Sequence, residues 1–175
     1  MFACLTEEII SKATGCKLAD VRENWPLILG ALAMRGMDSL ASQIGVAATV
    51  AVETGSFRPI RERMADHLRQ PELAKRQDEY KPWVGRGYIQ LTWKKNYQRM
   101  ESVLGINGLV AHPDLALEPA NAAAILAEYW ADSKAFQAAE AGDWERVRRR
   151  VNGGTNGMKL FQQYVNNMIN LCAEA

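Results

Sequence analysis

The chain has 175 residues, of which 48% are apolar and 23% are charged, and its formal net charge at pH 7 is +1. These values are those of an ordinary globular protein, so they exclude a disordered or fibrous chain. No window approaches the 18 uncharged apolar residues of a membrane span, and the first residues do not form an export signal. We therefore expect one domain, made in the cytoplasm, that does not insert stably into a membrane.

The predicted elements are nearly all helices, because short apolar runs of helical period alternate with polar or glycine-containing segments. In chain order, the sequence predicts helices over residues 6–14, 26–35, 39–54, 61–69, 94–104, 119–134, 143–151 and 158–172. Thr6, Asp38 and Asp143 are the predicted N-caps, and Pro26 is expected in a first turn. An extended segment is predicted only at YIQLT, residues 88–92.

The predicted helix 39–54 is alanine-rich and apolar almost all round, which predicts a buried central helix. Glu53 lies at its end, and Glu62 follows nine residues later. On a continuous helix these carboxylates would lie on opposite faces, but Gly55 and Pro59 predict a turn between them. A pair of carboxylates across a turn suits glycoside hydrolysis, although the spacing alone leaves open two ordinary surface glutamates.

The block GRGYIQLTW, residues 85–93, combines glycines with polar and aromatic side chains. Gly85 and Gly87 permit close approach of a ligand. Alternation along an extended segment would place Tyr88, Gln90 and Thr92 on one side, a mixture typical of sugar sites. A polar strand edge facing water is the alternative interpretation.

Basic residues are concentrated in residues 58–99, where 11 Lys and Arg stand against 5 Asp and Glu. Such a field favours a polyanionic partner, nucleic acid or an acidic bacterial wall, or else forms a solvated face. No nucleic-acid-binding signature accompanies it, so we expect no nucleic-acid partner. The later run RVRRR, residues 146–150, is interpreted as a solvated face because its arginines spread around a helix.

Cysteines and histidines give no sign of a metal or cofactor. Cys4, Cys16 and Cys172 are far apart and lack nearby histidines, so free thiols are expected rather than a disulfide framework or a zinc site. His67 and His112 have no neighbours at metal-ligand spacing. We expect no metal and no cofactor.

Taken together, ETGSF with Glu62, GRGYIQLTWKKNY, HPDLALEP with EYW, and VNGGTNG resemble glycoside hydrolase family 19. The resemblance covers roughly residues 25–168 and is to the lysozyme branch of phages and bacteria, the endolysins. It implies a mainly α-helical, lysozyme-like fold with two helical lobes around a substrate cleft and little or no β structure.

Position by position, the resemblance implies that Glu53 is the general acid and Glu62 the general base. Gln90 and Thr92 correspond to polar residues that bind sugar and hold water, and Asn152 to an asparagine that contacts substrate. Arg86 and Tyr88 complete the expected substrate-binding set. Two departures stand out: Val52 replaces a frequent histidine, and Phe161 replaces a frequent arginine, which removes a cation expected near the site.

The expected function is that of a phage-type endolysin, a muramidase that hydrolyses the β-1,4 bond of peptidoglycan with inversion. The alternatives are a chitinase, a lytic transglycosylase and a non-catalytic wall-binding protein. We expect a monomer without a separate wall-binding module. Release from the host cytoplasm to the peptidoglycan of the periplasm is expected to need a separate pore-forming protein.

Overall fold

The computed structural model describes residues 4–62 and 81–174, and in these ranges it is built almost entirely of helices. The eight described α-helices are α1 Glu7–Thr14, α2 Leu18–Ala33, α3 Leu40–Thr54, α4 Lys94–Leu104, α5 Pro119–Asp132, α6 Ala135–Glu140, α7 Trp144–Asn152 and α8 Met158–Glu174. Strands β1 Ile60–Arg61 and β2 Arg86–Gly87 form an antiparallel pair, and 3-10 segments lie at Lys81–Trp83 and Pro113–Leu117. The predicted mainly α fold with little β structure is confirmed. No helix in the described ranges is long and apolar enough to cross a bilayer.

Several helix ends follow from capping residues that the sequence reveals. Thr6 and Asp143 cap α1 and α7, as predicted, because each side-chain oxygen accepts a backbone N–H from three residues ahead. Gly55 ends α3 in the left-handed conformation, with φ 63°. The predicted Asp38 cap of α3 is wrong, because Ser39 fills that role with its hydroxyl.

Helix α2 begins eight residues before the predicted position, so Pro26 lies inside the helix rather than in its first turn. A proline there removes one backbone hydrogen bond. Val21, Trp25 and Ile28 on the same helix are almost completely buried, and their burial outweighs that loss. The short helix α6 was not predicted.

The predicted extended segment at residues 88–92 is wrong, because the backbone turns sharply there. Arg86 and Leu91 exchange backbone hydrogen bonds of 3.2 and 2.9 Å, which closes the turn. Gln90 lies within it in the left-handed region, with φ 54°. The alternation of a strand therefore does not apply to these side chains. In the predicted helix 61–69, Arg61 belongs to β1 and residues 63–69 lie outside the described residues.

Helix α3 is the buried central helix that the sequence predicts. Its residues from Ser42 to Ala51 are all buried, and it packs against α6, α7 and α8. The indole N–H of Trp130 on α5 donates to the Ser42 hydroxyl at 2.9 Å, so these two buried polar groups are paired with each other. The C-terminal end of this rigid element carries Glu53.

Candidate active site

A turn anchored in the core joins the helix that carries Glu53 to the strand that precedes Glu62. The Thr54 hydroxyl accepts the Phe57 backbone N–H at 2.9 Å, directly after the left-handed Gly55. Phe57 is fully buried, and its ring centroid lies 6.2 Å from that of Trp25 in an edge-to-face contact. This aromatic anchor fixes the direction in which the chain leaves α3.

Glu62 is held by the backbone of the glycine-rich block. Strand β1 ends one residue before it and pairs with β2. The Glu62 backbone N–H donates to the Gly85 carbonyl at 2.8 Å, and the Gly85 N–H donates back to Glu62 Oε2 at 3.2 Å. The short strand pair therefore sets the position of the second carboxylate.

Both glutamates line one open cavity of about 740 Å³, together with Gln90. Its other lining residues are Thr54, Ser56, Ile60 and Arg61. The turn at Gly55 thus brings two carboxylates that are nine residues apart to the same cavity. This answers the question that their spacing leaves open.

A second cavity of about 290 Å³ shares Glu53 and Gln90 with the first and continues it as a groove. Thr92, Tyr129 and Asn152 line this second part. Five of the seven predicted site residues are therefore brought to one groove: Glu53, Glu62, Gln90, Thr92 and Asn152.

Arg86 and Tyr88 are not brought to this groove. Arg86 is 3% exposed, and its Nε donates to Asp114 Oδ1 at 2.7 Å, while its guanidinium also contacts the Tyr97 ring and hydroxyl. Tyr88 is fully buried and donates to Asn24 Oδ1 at 2.6 Å, and burial raises its pKa. Both side chains point into the protein because the backbone of residues 85–93 turns. Their buried hydrogen bonds hold this turn against the core.

Gln90 is aimed by an unusual backbone conformation. Its left-handed φ of 54° is uncommon for a residue with a side chain, and such conformations cluster at functional sites. Its Nε2 donates to the Gly87 and Ile60 carbonyls at 3.0 and 3.2 Å. A Cβ on Gly85 would lie 2.7 Å from Gln90 Oε1 and 3.1 Å from Glu62 Oε2. Only glycine at position 85 allows both groups to approach this backbone.

Arg148 is a site residue that the sequence analysis missed, because the run RVRRR was interpreted as a solvated face. It is 3% exposed, and its Nη1 lies 2.5 Å from Glu53 Oε1. Its Nε donates to the Asn156 carbonyl at 2.9 Å. The helical spacing of Val147 and Val151, which are both buried, is the signal that could have placed Arg148 on the inner face of α7.

The replacement at Phe161 does not leave Glu53 without a neighbouring cation. Phe161 is fully buried in the core, and Arg148 supplies the cation beside Glu53 from the preceding helix. The segment after α7 closes over this guanidinium at Gly157, whose φ is 70°. A Cβ there would lie 3.0 Å from Val52 Cγ1 and 3.1 Å from Arg148 Nη2. Val52 and Arg148 thus both pack closely against Gly157.

Tyr129 and Asn96 also line the groove and were not predicted. The Tyr129 hydroxyl donates to the Val151 carbonyl at 3.1 Å. Burial raises the pKa of Tyr129, and the negative charges of Glu53 and Asp132 raise it further. The side chain therefore stays a neutral hydrogen-bond donor at physiological pH.

Metal ligation is not indicated where the structure can be described. Within residues 4–62 and 81–174, no group of three or more His, Cys, Asp or Glu side chains is placed to hold a metal ion. His67 lies outside the described residues.

Known proteins resemble the chain in sequence and in fold. No model of a known protein family matches it. A "Glycosyl hydrolase family 19 domain-containing protein" of Haemophilus influenzae is 36% identical over 78 residues, 42% of this chain and 34% of that protein. The match thus spans about a third of that relative's length.

Two solved structures share the fold. Chitinase C from Streptomyces griseus has a TM-score of 0.65 at 20% identity, over 98% of this chain and 76% of that one. A bacterial family 19 chitinase has a TM-score of 0.69 at 19% identity, over 96% of this chain and 95% of that one. The resemblance to glycoside hydrolase family 19 is confirmed, in sequence over part of the chain and in fold over nearly all of it.

Proposed function

We propose that this chain is a family 19 glycoside hydrolase, a muramidase of the endolysin type that cleaves the β-1,4 bonds of bacterial peptidoglycan. The observation that carries the proposal is the presence of Glu53 and Glu62 on one open cavity of about 740 Å³. One carboxyl group can protonate the leaving oxygen, and the other can activate water. The groove that continues past Glu53 gives a sugar polymer room on both sides of the reacting bond.

Glu53 acts as the general acid. It donates its proton to the glycosidic oxygen while the bond from that oxygen to the anomeric carbon breaks. The leaving sugar departs with a new hydroxyl group, and Glu53 becomes a carboxylate. The guanidinium of Arg148, 2.5 Å away and buried, balances this new negative charge without rearrangement.

Glu62 acts as the general base. It removes a proton from a water molecule, whose oxygen attacks the anomeric carbon from the side opposite the leaving group. The Gly85 N–H, 3.2 Å from Oε2, orients the Glu62 carboxylate. Gln90 stands next to it and offers its carboxamide oxygen to the same water. The β bond is replaced directly by an α hydroxyl, and no covalent intermediate forms.

Substrate is held by the polar residues of the second cavity. Thr92, Asn96 and Asn152 present hydroxyl and carboxamide groups at its surface, as suits the hydroxyl and acetamido groups of an amino sugar. Asn96 Nδ2 donates a hydrogen bond to the Thr92 carbonyl at 2.7 Å, which fixes the Asn96 side chain. These residues bind and orient the glycan beside Glu53.

Peptidoglycan is preferred as the substrate because of the endolysin-like motifs and the basic stretch at residues 58–99. The basic stretch attracts the acidic wall over a long range. The enzyme works as a monomer, and it reaches the wall from the host cytoplasm after a separate protein has opened a pore. Chitin is the second candidate substrate, since the two solved structures described above are named chitinases.

Parallel digests test this proposal. The purified chain is incubated with peptidoglycan and with N-acetylglucosamine oligomers, and the products are analysed by mass spectrometry and for new reducing ends. We expect muropeptides with a reducing muramic acid end. Cleavage of the oligomers alone would make the protein a chitinase, and anhydro sugar ends would make it a lytic transglycosylase. Co-sedimentation with walls without any product would leave only a binding function.

A further inference from the structure

A third cavity extends the groove beyond the sugar-binding residues. It measures about 330 Å³ and shares Leu91, Asn96 and Tyr129 with the cavity beside Glu53. Its remaining polar lining consists of Arg99, Asp132, Ser133 and Arg150. Side chains of both charges thus replace the hydroxyl and carboxamide groups that line the part near Glu53.

Only one of its two guanidiniums is paired with a carboxylate. Arg99 pairs with Asp132 and with Glu128, whose Oε1 lies 3.2 Å away. Arg150 is half-buried, and its Nη1 donates to the Ser133 carbonyl at 2.7 Å. Within residues 4–62 and 81–174, no carboxylate lies within 4.0 Å of the Arg150 guanidinium. The pocket therefore carries a fixed cation whose charge is not compensated by direct pairing.

We propose that this cavity is a subsite for a carboxylate carried on the branch of a peptidoglycan strand, with Arg150 as its ligand. The inference rests on the proposed function, because it assumes that a glycan occupies the groove beside Glu53. A strand of N-acetylglucosamine is neutral, whereas the lactyl branch of muramic acid carries a peptide with free carboxylates. The cavity thereby gives the enzyme a means of distinguishing peptidoglycan from chitin.

The chemistry of the pocket fits this ligand. A guanidinium offers parallel N–H groups that match the two oxygens of a carboxylate, and its anchoring to the Ser133 carbonyl fixes its orientation. The Arg99 pairing holds Asp132 and limits its repulsion of an incoming anion. The volume of about 330 Å³ lies within the range of about 300–1,000 Å³ common for small-ligand sites. A branch is suited to it better than the glycan backbone, which the polar part of the groove accommodates.

Binding measurements on the full chain separate this subsite from catalysis. In a Glu53→Gln background, which prevents turnover, dissociation constants are measured for three soluble ligands: glycan strands with peptide stems, the same strands after enzymatic removal of the stems, and neutral N-acetylglucosamine oligomers. Arg150→Gln should weaken binding of the stem-bearing strands about 10-fold or more, the loss of one charge-assisted hydrogen bond. The dissociation constant for the neutral oligomers should change by less than about twofold.

Two further variants control for folding and for overall charge. Arg150→Lys keeps the positive charge but loses the parallel N–H groups, so it should recover only part of the affinity for the stem-bearing strands. Arg149→Gln, an exposed neighbour on α7 that pairs with Glu145, should leave all three constants unchanged. Thermal unfolding of each variant checks that the contact to Ser133 is not required for the fold.

The pattern of weakened ligands either identifies the carboxylate that binds Arg150 or shows that the subsite does not exist. Weakening only on stem-bearing strands assigns a peptide carboxylate. The lactyl carboxyl group is an amide while the stem is attached, so weakening on the stripped strands as well would show that the lactyl carboxylate freed by stem removal also binds Arg150. An equal effect of Arg150→Gln on all three ligands, or no effect on any, would overturn the subsite. Failure of the unaltered chain to cleave any glycan would count against the proposed hydrolase. The change in dissociation constant caused by Arg150→Gln, compared between the three ligands, would still decide whether the subsite exists.

Discussion

Glu53 and Glu62 line the same cavity, but the structural elements that position them differ in how deeply they are packed into the core. Glu53 stands at the end of a buried helix and contacts Arg148 on another packed helix, 95 residues away in the chain. Glu62 follows a two-residue strand and contacts the Gly85 backbone. The first carboxylate is thus positioned by the core itself, and the second by local backbone pairing. Disturbing the two supports should therefore affect stability and activity in different proportions.

Removing either carboxylate should have the largest effect on activity. Glu53→Gln lacks the proposed acid and Glu62→Gln lacks the proposed base, so each should lower turnover by about 100-fold or more. Both replacements preserve size and should leave the fold unchanged in circular dichroism. Turnover is measured by the release of reducing ends from the preferred substrate. Activity near that of the unaltered protein in a folded variant would remove that glutamate from the mechanism.

Removing the support of Glu53 should cost both stability and activity. Arg148→Met leaves the Glu53 carboxyl group and the Asn156 carbonyl without their buried hydrogen-bond donor, which should lower the free energy of unfolding by about 3 kcal/mol. Turnover should fall by about 10-fold or more, because the charge on Glu53 after proton transfer is no longer balanced.

Arg149→Met is the matched control, since Arg149 lies on the same helix in an exposed pair with Glu145. It should change the free energy of unfolding by less than about 1 kcal/mol. Urea unfolding and reducing-end assays measure both variants. Equal stability of the two variants would show that Arg148 is not a structural support of Glu53.

Removing the support of Glu62 should cost activity with little loss of stability. In Gly85→Ala the new methyl group meets Gln90 Oε1 at 2.7 Å and Glu62 Oε2 at 3.1 Å, so both side chains must move. These are the ends of flexible side chains beside an open cavity, which makes the displacement inexpensive for the fold. We expect a loss of turnover of about 10-fold, the scale of a misplaced catalytic group.

Gly30→Ala serves as the control for this substitution. Gly30 lies within α2, and a Cβ there meets no atom within 4 Å. It should keep full activity and gain about 0.5–1 kcal/mol of stability. Gly85→Ala with unaltered turnover would mean that Glu62 and Gln90 need no fixed position.

The features that sequence reasoning predicted are those set by local chemistry. The Thr6 and Asp143 caps and the end of α3 at Gly55 depend on neighbouring residues alone. The start of α2 before Pro26 depends instead on burial against distant helices. Local sequence signals therefore predict most of the helices and the helix end that carries Glu53.

The parts of the site that were missed depend on contacts between distant segments. Arg148 is buried because α7 lies against the end of α3, which a surface-like arginine run does not reveal. The inward direction of Arg86 and Tyr88 follows from the turn that Leu91 closes, and a period-two pattern could not predict it. Family resemblance supplied the roles of the residues, and the structure supplied their supports.

The stereochemistry of the cut tests most directly whether the two glutamates act as an acid and a water-activating base. Proton NMR follows a fresh digest of the preferred glycan before the new reducing sugar mutarotates. Attack by water opposite the leaving sugar should give the α anomer first, because a single displacement inverts the β bond. The β anomer appearing first would contradict the account, since it would require a covalent intermediate and a nucleophile in place of the Glu62 base.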